Sequence, residues 1–333
     1  MVERPAETLA DLVSDYEGRR ILVTGGSGFI GSNLVASLLN VDCRIIRLSR
    51  KTQAAVGHST ANVTDVTGNL KDIGTWEAVL GEDVDLVFHL AGQTSSTLSD
   101  KEPQADLESN VLPMLNLLTV CRERGSRPAV VFAGTVTEAG LLQTLPAGES
   151  QPDHPVTIYD LHKLQAERYL EFFSHSFGIR GTTLRLPNIY GPGPSSSRAD
   201  RGILNQMIRR ALNGDSISLY GDGKYRRDYL YIDDTVAAFL KAGAAGARLR
   251  GRHFVLGTNI GTSLREAFEL VADLVAERTG KRVPVEQVER PGTLSPIEAR
   301  DFVADPSSYH SATGWTAWVD LRTGIQRTIE AFS

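Results

Sequence analysis

The sequence predicts a doubly wound α/β fold: a parallel sheet covered by helices, with a smaller C-terminal α/β lobe. Three observations carry that expectation. From residue 20 onward, short apolar runs alternate with longer helical patterns, the rhythm of βαβ units and a parallel sheet. A glycine-rich turn, TGGSGFIG at 24–31, follows the first apolar run and opens the first helix. Beyond residue 185 the punctuation becomes denser, with YGPGP at 190 and YGDG at 220, which marks a change of architecture. Strand, glycine turn and helix in this order make the larger part Rossmann-type.

In chain order, residues 1–19 form an N-terminal extension in which ETLADLVSDY is helix-compatible. ILVTG at 21–25 reads as the first strand and the segment through 39 as its helix. RIIRLS at 44–49 is the second strand, and WEAVLG at 76–81 and DLVFHLAG at 85–92 continue the alternation. Strands follow at 129–133 and 182–186, with helices at 107–124 and 158–177. In the second half, helices at 202–212, 264–278 and 321–331 alternate with shorter strands. The expected division is a dinucleotide-binding domain over 20–185 and a substrate-binding lobe mainly within 186–333, with chain crossings between them.

Composition narrows the partners. The 333 residues are 41% hydrophobic and 23% charged, with net charge -5, an ordinary globular balance without the basic footprint of a nucleic-acid or anionic-membrane binder. Neither partner is expected. The first twenty residues lack the apolar core of a signal peptide, and no stretch approaches 18 uninterrupted apolar residues, so the expected location is cytoplasmic. Cys43, in a predicted strand, and Cys121, in a predicted helix, read as reduced thiols. The seven histidines show no HExxH or close Cys/His spacing, and no metal is expected.

Gly25, Gly28 and Gly31 allow a tight turn and a close backbone approach, and amides at the helix N-terminus can then receive a pyrophosphate. The dinucleotide is chosen at the end of the second strand. There an acid would bind the ribose 2′-OH of NAD, whereas an Arg would accommodate a 2′-phosphate. The chain reads Ser49, Arg50, Lys51, so NADP(H) is favoured and NAD(H) is the alternative. Otherwise Arg50 and Lys51 are a solvated loop edge.

Tyr159 and Lys163, in YDLHK, stand four apart and share one face of a helix. An ammonium beside a phenol favours the phenolate, and the phenol can then exchange a proton with an alcohol or carbonyl oxygen while hydride moves at the adjacent carbon. A lone YxxxK is a common accident. Its context here is a dinucleotide loop 130 residues upstream.

TGGSGFIG, HLAG at 89–92, the YxxxK pair, LRLPNIYGPG at 184–193 and GDGKYRRDYLYIDD at 221–234 together resemble the extended short-chain dehydrogenase/reductase superfamily that acts on nucleotide sugars. The resemblance runs from about residue 20 to the C-terminus. It implies a nucleotide-sugar substrate, a C-terminal lobe that grips the diphosphate, and a homodimer built as a four-helix bundle from the helices near 107 and 159. By position, it makes Thr135 the hydroxyl that bonds the reacting oxygen, beside Tyr159 and Lys163, with Thr137 the weaker candidate. It places Phe29, Ile30, Asn69, Leu70, Leu90, Ala91, Gly92 and Asn110 at the cofactor, and Thr94 and Asn188 on the substrate side. Arg227 in RRDY and Arg290 in ERPG match diphosphate clamps, where guanidinium forks suit phosphate oxygens; each is otherwise a surface ion-pair residue. PSSSRADRG from 194 reads as a substrate lid or as a plain loop.

The departures matter as much. Dehydratases of the family carry Asp-Glu after the catalytic Thr, where this chain has Val136 and Thr137, so dehydration is not expected. The usual aspartate of the GDL segment is Asn69, and the Tyr of the usual VYG is Ala139. FAGTVTEAG, ESQPDHPVTIYDLHK, ADRGILNQMIRRAL and GRHFVLGT look like segments of 4-ketoreductases that act on dTDP-4-keto-6-deoxyhexoses. The first expectation is therefore NADPH-dependent reduction of a sugar C4 ketone. An NAD-dependent nucleotide-sugar 4-epimerase is the alternative, and a cofactor-binding regulator without turnover the third.

Overall fold

The computed structural model describes residues 9–50, 57, 59–81, 84–194, 202–289 and 295–333. The chain opens with α1 (Leu9–Leu12) and a single 3-10 turn, then runs through β1 (Arg20–Thr24), α2 (Phe29–Leu38), β2 (Arg44–Ser49), β3 (Asn62–Thr67) and α3 (Ile73–Val79). Next come β4 (Leu86–His89), α4 (Ser96–Lys101), α5 (Pro103–Asn110), α6 (Leu112–Arg124), β5 (Ala129–Thr135), α7 (Ile158–Phe177) and β6 (Arg180–Leu186). The second half holds β7 (Asn188–Tyr190), α8 (Ile203–Leu212), β8 (Ile217–Tyr220), β9 (Arg226–Arg227), β10 (Tyr229–Tyr231), α9 (Ile232–Ala245) and β11 (Arg252–Val255). It ends with β12 (Thr262–Ser263), α10 (Leu264–Thr279), β13 (Val285–Val288), α11 (Ser307–Thr313) and α12 (Leu321–Phe332).

Seven parallel strands form one sheet in the order β11-β6-β5-β4-β1-β2-β3. Helices cover both faces, so β1, β4 and β5 are buried almost throughout and read as continuous apolar runs. One core lies between the sheet and α2, α9 and the C-terminal helices, the other between the sheet and α3, α6 and α7. Strand order reverses between β1 and β4, and in open α/β sheets the ligand crevice forms outside the carboxyl ends at that reversal. The smaller pairings β7/β10 and β8/β13 are parallel, and β9/β12 is antiparallel. The chain crosses back: β11 rejoins the large sheet beside β6.

The helix expected over 107–124 is two helices. Pro113 has no N–H to donate back to the carbonyl four residues earlier, and the chain breaks between α5 and α6 at Val111. The run at 76–81 belongs mostly to α3 rather than to a separate element. Of the elements that escaped the periodicity reading, two are instructive. β3 is a polar edge strand without an apolar run, and α9 is apolar on almost every side because it is buried almost all round. Cys43 immediately precedes β2 rather than lying in it, Cys121 lies in α6, and both are buried free thiols. Among the described residues no helix is long and apolar enough to cross a membrane.

Candidate active site

The cofactor cleft is built on the turn between β1 and α2. Gly25 has φ +70°, and a Cβ there would stand 2.9 Å from the Ala91 backbone nitrogen. A Cβ on Gly31 would meet the Gly25 carbonyl oxygen at 2.2 Å, so only glycine lets α2 pack this closely on the turn. Gly28 donates its N–H to that carbonyl (2.8 Å) and caps α2 without a side chain. The first-turn amides of Phe29 and Ile30 follow at the helix's positive end. A cavity of about 500 Å³ opens here, lined by Gly25, Gly28, Ser49, Arg50, Asn69 and Leu70. On the β4 side Leu90, Ala91 and Gly92 complete the wall, and Ser27, which the sequence reading passed over, joins it. Trp76 Nε1 donates to the Leu70 carbonyl (2.9 Å) and Asn116 to the Lys71 carbonyl (2.9 Å), fixing the 69–71 turn. Lys51 lies outside the described residues.

This cradle fits a dinucleotide. A close backbone approach, a helix N-terminus with no side-chain cap and a cleft at the sheet's reversal suit a pyrophosphate flanked by two nucleosides. The sequence carries no acid at the end of β2, where Ser49, Arg50 and Lys51 stand. Arg47, two residues before Ser49, is committed to Asp65 through two bonds of 2.7 Å, whereas Arg50 is exposed and lines the cleft.

The residues expected to carry the chemistry lie where β5 and α7 meet. Thr157 caps α7, its Oγ1 accepting from the Asp160 N–H (3.1 Å), and the helix sets half-buried Tyr159 and buried Lys163 on one face. Ser99 Oγ accepts from the Tyr159 N–H (3.0 Å) and ties that turn to α4. Lys163 Nζ lies 4.0 Å from the centre of the Phe132 ring. Burial lowers the Lys163 pKa to about 8, although the Glu138, Asp106 and Glu167 carboxylates pull it back up. Thr135 ends β5 with its Oγ1 2.9 Å from Thr137 Oγ1, and its N–H donates to Glu138 Oε1 (2.8 Å).

Glu138 is fully buried, and burial together with the neighbouring Glu167 pushes its pKa well up. Its other oxygen lies 3.2 Å from Arg185 Nε. Arg185 also binds Asp153 and Glu167, each at 2.6 Å. A second hub is Asp106, which receives His162 Nδ1 (2.7 Å), Gln93 Nε2 (2.8 Å) and Asn110 Nδ2 (3.0 Å). Among the described residues Asn110 Oδ1 has no hydrogen-bond partner, and it stands 2.6 Å from where a Cβ on Gly92 would be.

On the substrate side, Asn188 lies in β7 and its Oδ1 accepts from Arg300 Nη2 (3.3 Å). Arg227 is buried, and its guanidinium donates to the carbonyls of Arg226 (3.1 Å), Glu298 (2.9 Å) and Arg300. Thr94 is exposed on the loop after β4. Arg290 lies outside the described residues, as does the 195–201 part of the stretch read as a lid or loop.

A family model described as the NAD dependent epimerase/dehydratase family matches residues 21–257. The chain belongs to that family. It is similar to the UDP-glucose 4-epimerase of Thermotoga maritima solved with UDP-glucose, at 31% identity and TM-score 0.83 over 94% of this chain and 98% of that one. It is also similar to the UDP-glucose 4-epimerase of Thermus thermophilus solved with NAD, at 30% identity and TM-score 0.81 over 94% and 98%. Among curated proteins, the UDP-glucose 4-epimerase of Mycolicibacterium smegmatis is 29% identical over 318 residues, 94% of this chain and 98% of that protein.

Within the family's frame, Asp106, Glu138, Asp160, His162 and Arg300 are polar residues that the sequence reading passed over. Two signals were available. Asp160 and His162 lie inside YDLHK itself, and Glu138 occupies the place of the valine in the family's usual VYG. Asp106 and Arg300 carry no local signal, since their partners His162 and Asn188 lie far away in the chain. Among the described residues no cluster of three or more His, Cys, Asp or Glu is arranged to hold a metal ion.

Proposed function

We propose that the protein interconverts epimers at C4 of a nucleotide-linked sugar by oxidising the carbon and reducing it again. The observation that supports this reading is that α7, which carries Tyr159 and Lys163, packs on β5, which Thr135 ends: Lys163 Nζ lies 4.0 Å from the centre of the Phe132 ring. The near full-length likeness to UDP-glucose 4-epimerases supports it. A bound nicotinamide dinucleotide supplies and accepts the hydride. Tyr159 takes the proton from the C4 hydroxyl in one direction and returns it to the carbonyl oxygen in the other. Thr135, steadied by Glu138 through its backbone and by Thr137 through its hydroxyl, donates to that oxygen as charge develops on it. Lys163 holds the nicotinamide ribose and presents a positive charge beside the phenol. Gly25, Gly28 and the opening of α2 hold the pyrophosphate, with Asn69 and Leu70 at the adenine end.

Ketoreduction, the first expectation from sequence, becomes the second reading, because the relatives named above are epimerases. One observation still favours it: Ser49 and Arg50 line the cleft and the sequence there carries no acid, a setting that suits a 2′-phosphate and a cofactor drawn from the NADPH pool. Heat-releasing the dinucleotide from purified protein tests the choice. About one NAD per chain supports the epimerase. Cofactor-free protein that binds NADPH about tenfold tighter than NADH, roughly 1.4 kcal/mol, supports the reductase, and binding of neither overturns both. We also assign Leu107 on α5 and Leu161 and Phe172 on α7, the last 58% exposed, to the seat of a second copy of the chain. Sedimentation as a monomer at micromolar concentration would remove that assignment.

A further inference from the structure

Lys163 is 5% exposed, and burial works against its charge. Carboxylates act on it from three directions: Glu138 in the turn after β5, Asp106 on α5, and Glu167 one turn further along α7. Each is engaged elsewhere. Glu138 holds the Thr135 N–H (2.8 Å) and faces Arg185, Glu167 pairs with Arg185 (2.6 Å), and Asp106 receives His162, Gln93 and Asn110. Among the described residues none of them makes an ion pair or a hydrogen bond with the Lys163 ammonium, and their pull is through space alone. What the ammonium does touch is a ring, with Nζ lying over Phe132 at 4.0 Å from its centre.

That ring is itself fixed. Phe132 is 1% exposed in β5, and His89, its partner in register on β4, lies 5.7 Å away with the two rings inclined by 21°. His89 meets the Trp76 ring edge-on and is bonded to Thr24 Oγ1 (2.9 Å). Burial first, and the Lys163 charge second, lower the His89 pKa to about 3, so the imidazole is neutral and no second cation crowds the ring. An aromatic face attracts a cation through its quadrupole. It does so without engaging the ammonium's N–H donors as a carboxylate would. Resting on the reading of Lys163 as the cation that holds the nicotinamide ribose, this difference matters: an ion pair would keep the charge but occupy the donors, and plain hydrocarbon would spare the donors but expel the charge. We infer that Phe132 is a positioning residue for Lys163, its ring face keeping a buried ammonium charged and in place while the donors stay available to the cofactor.

NMR of carbon-13-labelled lysine in the purified protein with excess NAD tests this, the Lys163 signal being identified by its loss in Lys163→Arg. In the wild type the Lys163 Cε protons should resonate upfield of those of every other lysine, the signature of a place over a ring face. A Lys163 signal among the others overturns the inference without any variant at Phe132. In Phe132→Leu the midpoint of the Lys163 titration should fall by about one pH unit or more, the scale of a desolvated cation–ring contact. In Phe132→Tyr, which keeps the ring, it should return to the wild-type value. A midpoint unmoved in the Leu variant overturns the inference, and so does one lowered as far in the Tyr variant. Turnover between UDP-glucose and UDP-galactose gives the second readout: its basic limb should move to lower pH together with the midpoint. A limb that stays while the midpoint falls removes Phe132 from the reaction. If the wild type does not interconvert the two sugars, the epimerase reading fails, and the midpoints still decide on Phe132.

Discussion

The two halves of the site solve opposite problems. On the cofactor side, local sequence does most of the work: one turn between β1 and α2 supplies the cradle, and backbone groups point at the ligand space. Its polar groups are largely paired already, with Asp106 receiving three donors and Thr24 Oγ1 accepting the N–H groups of Leu90 and Ala91 at 3.2 Å each. On the proposed substrate side, the polar groups come from segments as far apart as Asn188 and Arg300, and among the described residues Tyr229 and Arg300 keep buried atoms without partners. A cradle made of backbone is finished before its ligand arrives. A pocket made of side chains is completed by it.

The comparison can be broken at its centre first. Replacing Tyr159 by Phe should lower turnover by about 10²- to 10⁴-fold, the scale of a positioned proton-transfer group, without weakening dinucleotide binding. Retained turnover would remove Tyr159 from the chemistry. Next in size is the cradle. In Gly31→Ala, a Cβ 2.2 Å from the Gly25 carbonyl forces the turn to move, and the expected cost is about 1–3 kcal/mol of stability together with a loss of dinucleotide affinity. Unchanged thermal unfolding and unchanged affinity would show that the close packing is dispensable.

The smallest effect is a titration. Lys163 has its pKa lowered from 10.5 to about 8, chiefly by burial, so turnover that needs its charge should decline through about pH 8 on the basic side. The stability effect has the opposite sign. Between about pH 8 and the unfolded value the unfolded chain binds a proton that the folded one does not, so this group makes stability rise with pH across that window; below it, the cost of the buried charge stands in full. A rate profile flat to pH 10 would mean that the charged form is not required.

How much of this could be read beforehand follows the same divide. β1, α2, β2, α7, the Gly25 turn and the shared helix face of Tyr159 and Lys163 were legible, because each rests on a local pattern: an apolar run, a glycine spacing, or two residues one helical turn apart. The 107–124 region showed a helix but not its break at Val111, although Pro113 was in view. α9 was hidden by burial on nearly every side, which removes the polar stripe that periodicity needs. Arg227 was legible as a guanidinium near the substrate lobe, yet its inward turn onto the 298–300 carbonyls depends on a segment seventy residues away. Arg300, paired with Asn188 across 112 residues, had no pattern to announce it.

The return of β11 to the large sheet has a consequence for how the chain is made. A ribosome adding about 5–20 residues per second delivers β6 roughly seventy residues before its outer neighbour. During those seconds β6 is an open edge, carrying unpaired backbone groups that any other strand can capture. The nucleotide-binding half therefore has no finished form of its own. A fragment cut near residue 185 would present that edge permanently, and aggregation, rather than an isolated dinucleotide-binding unit, is the expected product.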